Sequence, residues 1–222
     1  MKAIVLGSTG MVGKAVLLEC LDDNRITKVV VINRRSLNMR HEKLVEVIHD
    51  DFYDISPLKD QLAGYDACFF CLGISSVGMS EEKYRRVTYD LTLSFARTYV
   101  SANPAAVFCY VSGTGTDSSE HGKLMWARVK GKTENDLLKI GFRDAYMFRP
   151  GYIQPLKGVR ARSAVVNVLY FVLTPLYYIL KAAGSSVTDS VSLGKAMICA
   201  AINGYSKKII EPKDINVLAR AR

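Results

Sequence analysis

Several features are scarce in this chain of 222 residues, and each scarcity closes off a class of function. The five cysteines are an odd number, and Cys68, Cys71 and Cys109 sit inside apolar runs, the setting of reduced core thiols rather than of a disulfide framework. Cys68 and Cys71 make a lone C-x-x-C without a second pair or a nearby histidine, in a stretch that reads as a strand, so no metal or redox site is expected. The start of the chain lacks the basic and apolar regions of a secretory signal: Lys2 alone precedes an apolar run that stops at a glycine turn. These features lead us to expect a cytoplasmic protein. No basic helix, stacking-aromatic platform or nucleic-acid motif accompanies the positive charge, which disfavours nucleic acid as a partner. Nothing suggests disorder, and 49% hydrophobic residues over this length suffice for one large core, expected as a single domain over 1–222.

The charge that is present is uneven. Of the net +9, residues 151–222 contribute ten Lys/Arg against three Asp/Glu, whereas residues 1–150 hold twenty against eighteen. The excess therefore belongs to the C-terminal third, where it would attract a phosphorylated ligand, an acidic partner or an anionic membrane surface.

The stretch that organises the rest is Lys2 to Leu18, KAIVLGSTGMVGKAVLL. An apolar run (Ala3 to Leu6) breaks at Gly7, passes Ser8 and Thr9 to Gly10, then Met11, Val12 and Gly13, and continues with helical apolar spacing through Val16 and Leu17. This is a strand, a tight turn and a helix start, the arrangement in which a dinucleotide pyrophosphate rests on free backbone N–H groups. Gly7 would permit the turn, Gly10 the approach of phosphate oxygens, and Gly13 the packing of helix on strand. The spacing is looser than G-x-G-x-x-G, and its position after a β-branched run and before a helix supplies the weight.

A second apolar strand, Lys28 to Ile32, ends at Asn33-Arg34-Arg35. An acid here would accept bonds from the adenosine ribose, whereas arginine pairs with a 2′-phosphate, so the two arginines favour NADP over NAD, Arg34 ahead of Arg35. Leu44 to Ile48 reads as a third strand, followed by Asp51 and Phe52 as adenine contacts. A short helix near Pro57 to Leu62 leads to a fourth strand, Ala67 to Leu72, in which Cys71 and Leu72 precede Gly73, with Ser75 and Ser76 where the cofactor ribose would pass. Ser80 caps a long helix reaching Ser101, and Ala105 to Val111 is a fifth strand ending in Ser112. Strands alternating with helices at this rhythm predict an α/β fold, a doubly wound and mostly parallel sheet.

Beyond Ser112, a helical stretch carries Trp126-Ala127-Arg128-Val129-Lys130-Gly131, and a sixth strand ends in Arg149-Pro150-Gly151. With the opening glycine motif and Cys71-Leu72-Gly73, these segments resemble the short-chain dehydrogenase/reductase superfamily, specifically its extended and atypical members, and among them the Tat-interactive-protein-like oxidoreductases. The resemblance covers most of residues 1–155 and implies a Rossmann fold with a small C-terminal substrate lobe, here 152–188. It further implies that a serine holds the substrate oxygen, a tyrosine moves the proton, and a lysine one helical turn later binds the nicotinamide ribose. Ser112 and Lys130 match. The tyrosine position holds Trp126, whose indole N–H is a donor that does not titrate usefully. Tyr84, Tyr110 and Tyr152 are other candidate phenols, with Tyr152 preferred, although a core or interface role is the commoner one for such an aromatic.

Residues 163–180 contain no charge, which meets the lower bound for a membrane span. Thr174-Pro175 reads as a helix start that splits the run, and Asp189 onward, with Asp214 to Leu218, reads as the last helix and strand of the same fold. We therefore favour buried substrate-lobe helices over an apolar contact surface in 157–183 for a membrane or a second subunit, and both over a span. Three readings follow: an NADP-dependent oxidoreductase-like enzyme acting on a small carbonyl or hydroxyl compound, an NADP(H)-binding regulatory protein without turnover, and a membrane-peripheral scaffold.

Overall fold

Continuous apolar runs without alternation belong to strands covered on both faces, and the sheet bears this out. In the computed structural model, which describes residues 1–159, 177 and 187–221, the strands are β1 (Lys2–Leu6), β2 (Lys28–Asn33), β3 (Leu44–Ile48), β4 (Ala67–Phe70), β5 (Val107–Val111), β6 (Asp144–Phe148), β7 (Ile153–Gln154), β8 (Thr188–Asp189) and β9 (Ile209–Ile210). Seven of them form one parallel sheet in the order β3-β2-β1-β4-β5-β6-β9, and β7 pairs with β8 apart from it. This is the Rossmann arrangement, with the order reversing beside β1, so that the crevice over its C-terminal end is the natural ligand site.

The helices are α1 (Met11–Asp22), α2 (Glu81–Arg85), α3 (Leu91–Ala102), α4 (Met125–Leu137), α5 (Ser190–Asn203) and α6 (Pro212–Leu218). Alternate strand residues feed two apolar layers. Ala3, Val5, Val31, Phe69 and Cys109 share one with residues of α1, α5 and α6, and Ile4, Leu6, Phe70, Phe108 and Tyr110 share the other with residues of α3. As the sequence predicts, Ser80 caps α2, its hydroxyl accepting from Lys83 N at 3.4 Å. The long helix is nevertheless not uniform: a π-helical segment, Arg86–Asp90, joins α2 to α3.

Three expectations are corrected. Asp214 to Leu218 is helical, because Pro212 and the reciprocal capping of Glu211 and Asp214 start a helix there; the strand is Ile209–Ile210. The fourth strand ends at Phe70, leaving Cys71 and Leu72 beyond it. The short helix near Pro57 is two 3₁₀ turns, Ser56–Leu58 and Asp60–Leu62.

The expected lobe and the uncharged run at 163–180 fall, Tyr177 apart, outside the described residues. Tyr177 is helical and buried, and its hydroxyl bonds Asp189 at 2.8 Å. Among the described residues no helix is long and apolar enough to cross a membrane. Part of the basic excess is committed within the protein: Lys157 pairs with Glu19 and Asp22 of α1, Lys207 with Asp214, and Lys208 with Asp144.

Candidate functional site

The glycine turn is built by close approach. Gly7 has φ +79°, and a Cβ there would lie 2.7 Å from the Cys71 carbonyl carbon and oxygen. A Cβ on Gly13 would lie 2.2 Å from the Gly7 carbonyl oxygen. Both glycines are therefore demanded by the fold itself. Gly10 differs: its φ of −89° and ψ of 164° suit any residue, and a Cβ would meet only the Gly7 carbonyl, at 3.3 Å. Gly10 caps α1 without any side-chain bond, and the first turn of that helix holds no acid. The positive end of α1 is thus left for an anion, beside a face kept clear of side-chain atoms. Met11 and Val12 pack half-buried on the core, and Ser8 is fully buried with its hydroxyl on Asn33 Oδ1 at 2.9 Å. What these three residues can offer a ligand is main chain.

A cavity of about 300 Å³ opens above this turn, lined by Gly7, Thr9, Ile32, Asn33, Arg34, Asp50, Phe52, Tyr53, Leu72, Gly73, Ile74, Val87 and Leu91. It adjoins a second recess of about 530 Å³ bounded by Thr9, Arg34, Arg35 and Asp50. The structure thus brings together Gly7, Thr9, Arg34, Phe52, Leu72 and Gly73, with Arg35 on the recess and Cys71 forming the backbone wall behind Gly7. Asp51 is not among the lining residues. Its carboxylate accepts the Tyr53 amide at 2.8 Å, and the neighbouring Asp50 lines the cavity instead. Asn33, Asp50, Tyr53, Ile74, Val87 and Leu91 were not singled out from sequence. Their only signal is adjacency to residues that were, or, for Val87 and Leu91, a place on the inner face of a helix.

The second group of predicted residues meets at the ends of β5 and β6. The Ser112 hydroxyl donates to Glu134, and the Phe148 carbonyl also lies 3.1 Å from it. Glu134, four residues after Lys130 on α4, is fully buried and held by the Arg149 guanidinium, whose Nε lies 3.1 Å from Oε1. Arg149 also reaches Ser118 Oγ at 2.6 Å and Glu211 at 3.4 Å. Sequence reasoning missed both Glu134 and Arg149 as site residues; the signal was the helical spacing of Glu134 from Lys130. The Lys130 ammonium donates to the Ser112 carbonyl. Burial pushes its pKa down to about 8, against the opposing pull of Glu134.

Trp126 is half-buried on the first turn of α4, its ring edge facing Gly115, whose Cβ would lie 3.4 Å from the indole. The candidate phenols are occupied elsewhere. Tyr84 and Tyr110 are 2% and 1% exposed, and burial raises both pKa values. Tyr110 does lie on the Ser112 side of β5, under α4, where Glu134 also bears on its ionisation. The Tyr152 hydroxyl donates to Gln154 Oε1 at 2.7 Å, and its ring neighbours that of Tyr177. Among the described residues no group of His, Cys, Asp or Glu is arranged to hold a metal ion.

No family model matches the chain. The protein HTATIP2 of Rattus norvegicus is 30% identical over 151 residues, covering 67% of this chain and 61% of that protein. FMP52 of Eremothecium gossypii, named as mitochondrial, is 30% identical over 158 residues, covering 69% of this chain and 66% of that protein. The match thus spans just under two thirds of the length of these relatives. A solved short-chain dehydrogenase from Burkholderia cenocepacia, in complex with NADP, superposes with a TM-score of 0.65 at 13% identity, over 94% of this chain and 86% of that one. The chain is similar to proteins of the atypical short-chain dehydrogenase/reductase class and has their fold. Its Rossmann sheet is the fold it shares with that solved structure, and Trp126 stands where the resemblance calls for tyrosine. The mitochondrial designation of the FMP52 relatives conflicts with the cytoplasmic location expected from composition, and that expectation is withdrawn.

Proposed function

We propose that this protein binds NADP(H) and serves as an oxidoreductase-like enzyme on the carbonyl or hydroxyl of a small molecule. The observation that carries the reading is the cradle over α1: an uncapped helix start, a face of Gly10 clear of side-chain atoms, and a cavity that continues into a recess walled by Arg34 and Arg35. The main chain from Gly7 to Gly13 would hold the pyrophosphate, Arg34 and then Arg35 the 2′-phosphate, and Phe52, Asp50 and Leu72–Gly73 the adenosine. The group so bound supplies or accepts a hydride.

The chain's own residues would do the rest. Lys130, charged at pH 7, offers its ammonium to a ribose hydroxyl from its place on the Ser112 carbonyl. Ser112 would hold the substrate oxygen after its hydroxyl leaves Glu134, while the Glu134–Arg149 pair keeps the ends of β5 and β6 in register beneath it. Trp126 would exclude water or donate one bond, and Tyr152, once its hydroxyl leaves Gln154, would supply the proton.

A second reading, a cofactor-binding regulator without turnover, is favoured by Trp126 and by the commitment of Tyr152 to Gln154. NADPH fluorescence titration of the wild type and Arg34→Ala, followed by a turnover screen with carbonyl substrates, separates the two. Tight, Arg34-dependent binding with turnover supports the enzyme, and the same binding without turnover supports the regulator. Absence of binding to either nicotinamide dinucleotide overturns both.

A further inference from the structure

We infer that Glu46, on the sheet's edge strand β3, is a specificity-determining residue at the adenosine end, because its one carboxylate fastens both ends of the Arg34–Arg35 segment. The inference rests on the NADP(H) reading and adds to it the residue that sets the preference for a phosphorylated ribose.

Ahead of the arginines, Asn33 Nδ2 donates to Glu46 Oε1 at 3.1 Å. Behind them, the Leu37 amide donates to the same oxygen at 2.8 Å, and the Ser36 hydroxyl donates to Oε2 at 2.6 Å. The Ser36 oxygen in turn accepts the Asn38 amide at 3.1 Å, and the side chains of Leu37 and Met39 pack on the core cluster that holds α1. The two arginines therefore stand on a short arch with both feet on one anion. The Asn33 side chain is committed on both sides, its amide oxygen accepting from Ser8 and its nitrogen donating to Glu46.

All three donors to Glu46 are neutral, and among the described residues neither Arg34 nor Arg35 forms an ion pair with a protein carboxylate. That division matters. Satisfied by a main-chain amide, a side-chain amide and a hydroxyl, the Glu46 carboxylate leaves the two guanidinium groups to the recess they line. Burial pushes the Glu46 carboxyl up, but the bonds from Ser36, Leu37 and Asn33 together hold it lower, so the arch keeps its anion at neutral pH. Fixing the backbone beneath two flexible cations removes part of the ordering cost of gripping a dianion, a gain realised only by a ligand that carries the dianion.

The test is a pair of titrations, NADPH and NADH, on wild type, Glu46→Ala and Ser36→Ala, with 2′,5′-ADP and 5′-ADP as competitors and a melting curve for each protein. Glu46→Ala should weaken NADPH about tenfold and NADH by less than about twofold, with Ser36→Ala about threefold in the same direction. The competitors should follow suit, the loss falling on 2′,5′-ADP. Equal losses for the two dinucleotides, or an unmoved preference in Glu46→Ala with native melting, overturn the inference. If Glu46→Ala does not fold, an unmoved preference in Ser36→Ala does the same. A wild type that binds neither dinucleotide sinks the NADP(H) reading and this inference together, whereas a wild-type preference for NADPH that survives both substitutions sinks this inference alone.

Discussion

Gly7 and Gly10 sit three residues apart in one turn, yet alanine at the two positions should fail in different ways. At Gly7 the backbone lies at φ +79°, where a side chain costs about 1–2 kcal/mol, and the new methyl would press on the Cys71 carbonyl at 2.7 Å. Overpacking against backbone adds about 1–3 kcal/mol, for a sum of about 2–5 kcal/mol, or a fall in melting temperature of about 5–20 °C in a chain of this size. At Gly10 the dihedral angles already suit alanine, and the one close neighbour is the Gly7 carbonyl at 3.3 Å. The entropy gained by restricting the unfolded chain roughly offsets the poorer capping by alanine, so melting should stay within about 4 °C of wild type. The methyl nevertheless stands on the face assigned to phosphate, and NADPH affinity should drop about tenfold or more. Differential scanning fluorimetry with and without NADPH reads both quantities on one sample. A Gly10→Ala protein that binds NADPH as tightly as wild type, or melts as early as Gly7→Ala, would refute the reasoning.

Other expectations test the reactive end. Arg149→Met strands the fully buried Glu134 carboxylate and should cost about 3–5 kcal/mol in chemical denaturation, most of it recovered in Glu134→Gln/Arg149→Met; no recovery would mean that the pair is not the source of the loss. Trp126→Tyr places a phenol one helical turn before Lys130 and should raise turnover about 100-fold at unchanged NADPH affinity, whereas no gain argues for the regulator. Lys130 has a folded pKa near 8, below its usual 10.5, so the unfolded chain holds more protons between those values and stability rises with pH across that window. The stability advantage of Lys130→Met over wild type should accordingly be full below about pH 8 and shrink toward pH 10; a difference that stays flat by urea denaturation contradicts it.

The first half of the fold was legible because its signals are local. An apolar run, a glycine turn and a helix start specify β1 and α1 within eighteen residues, and Arg34 and Phe52 follow from the ends of the next strands. Which of Asp50 and Asp51 lines the cavity is a matter of one residue just past a strand, which alternation cannot settle; Asp50 lines it, and Asp51 accepts the Tyr53 amide. Residues 214–218 misled through their β-branched Ile215 and Val217, although Pro212 and the Glu211–Asp214 box were present as helix signals. Arg149 and Glu46 could not be weighed from sequence, because each acquires its role only from partners on other elements, and Glu134 offered no more than its helical spacing from Lys130. Trp126 stood out at once, since a missing phenol shows in the residue itself.

Every residue lining the cavity falls between positions 7 and 91, whereas Ser112, Lys130, Glu134 and Arg149 all come later. During synthesis, the strands that build the nucleotide grip have left the ribosome before the chemistry-bearing half is translated. The two halves can also drift separately over generations. Position 126 on α4 is not among the residues that line the cavity, so the nucleotide end can stay as it is whatever side chain stands there.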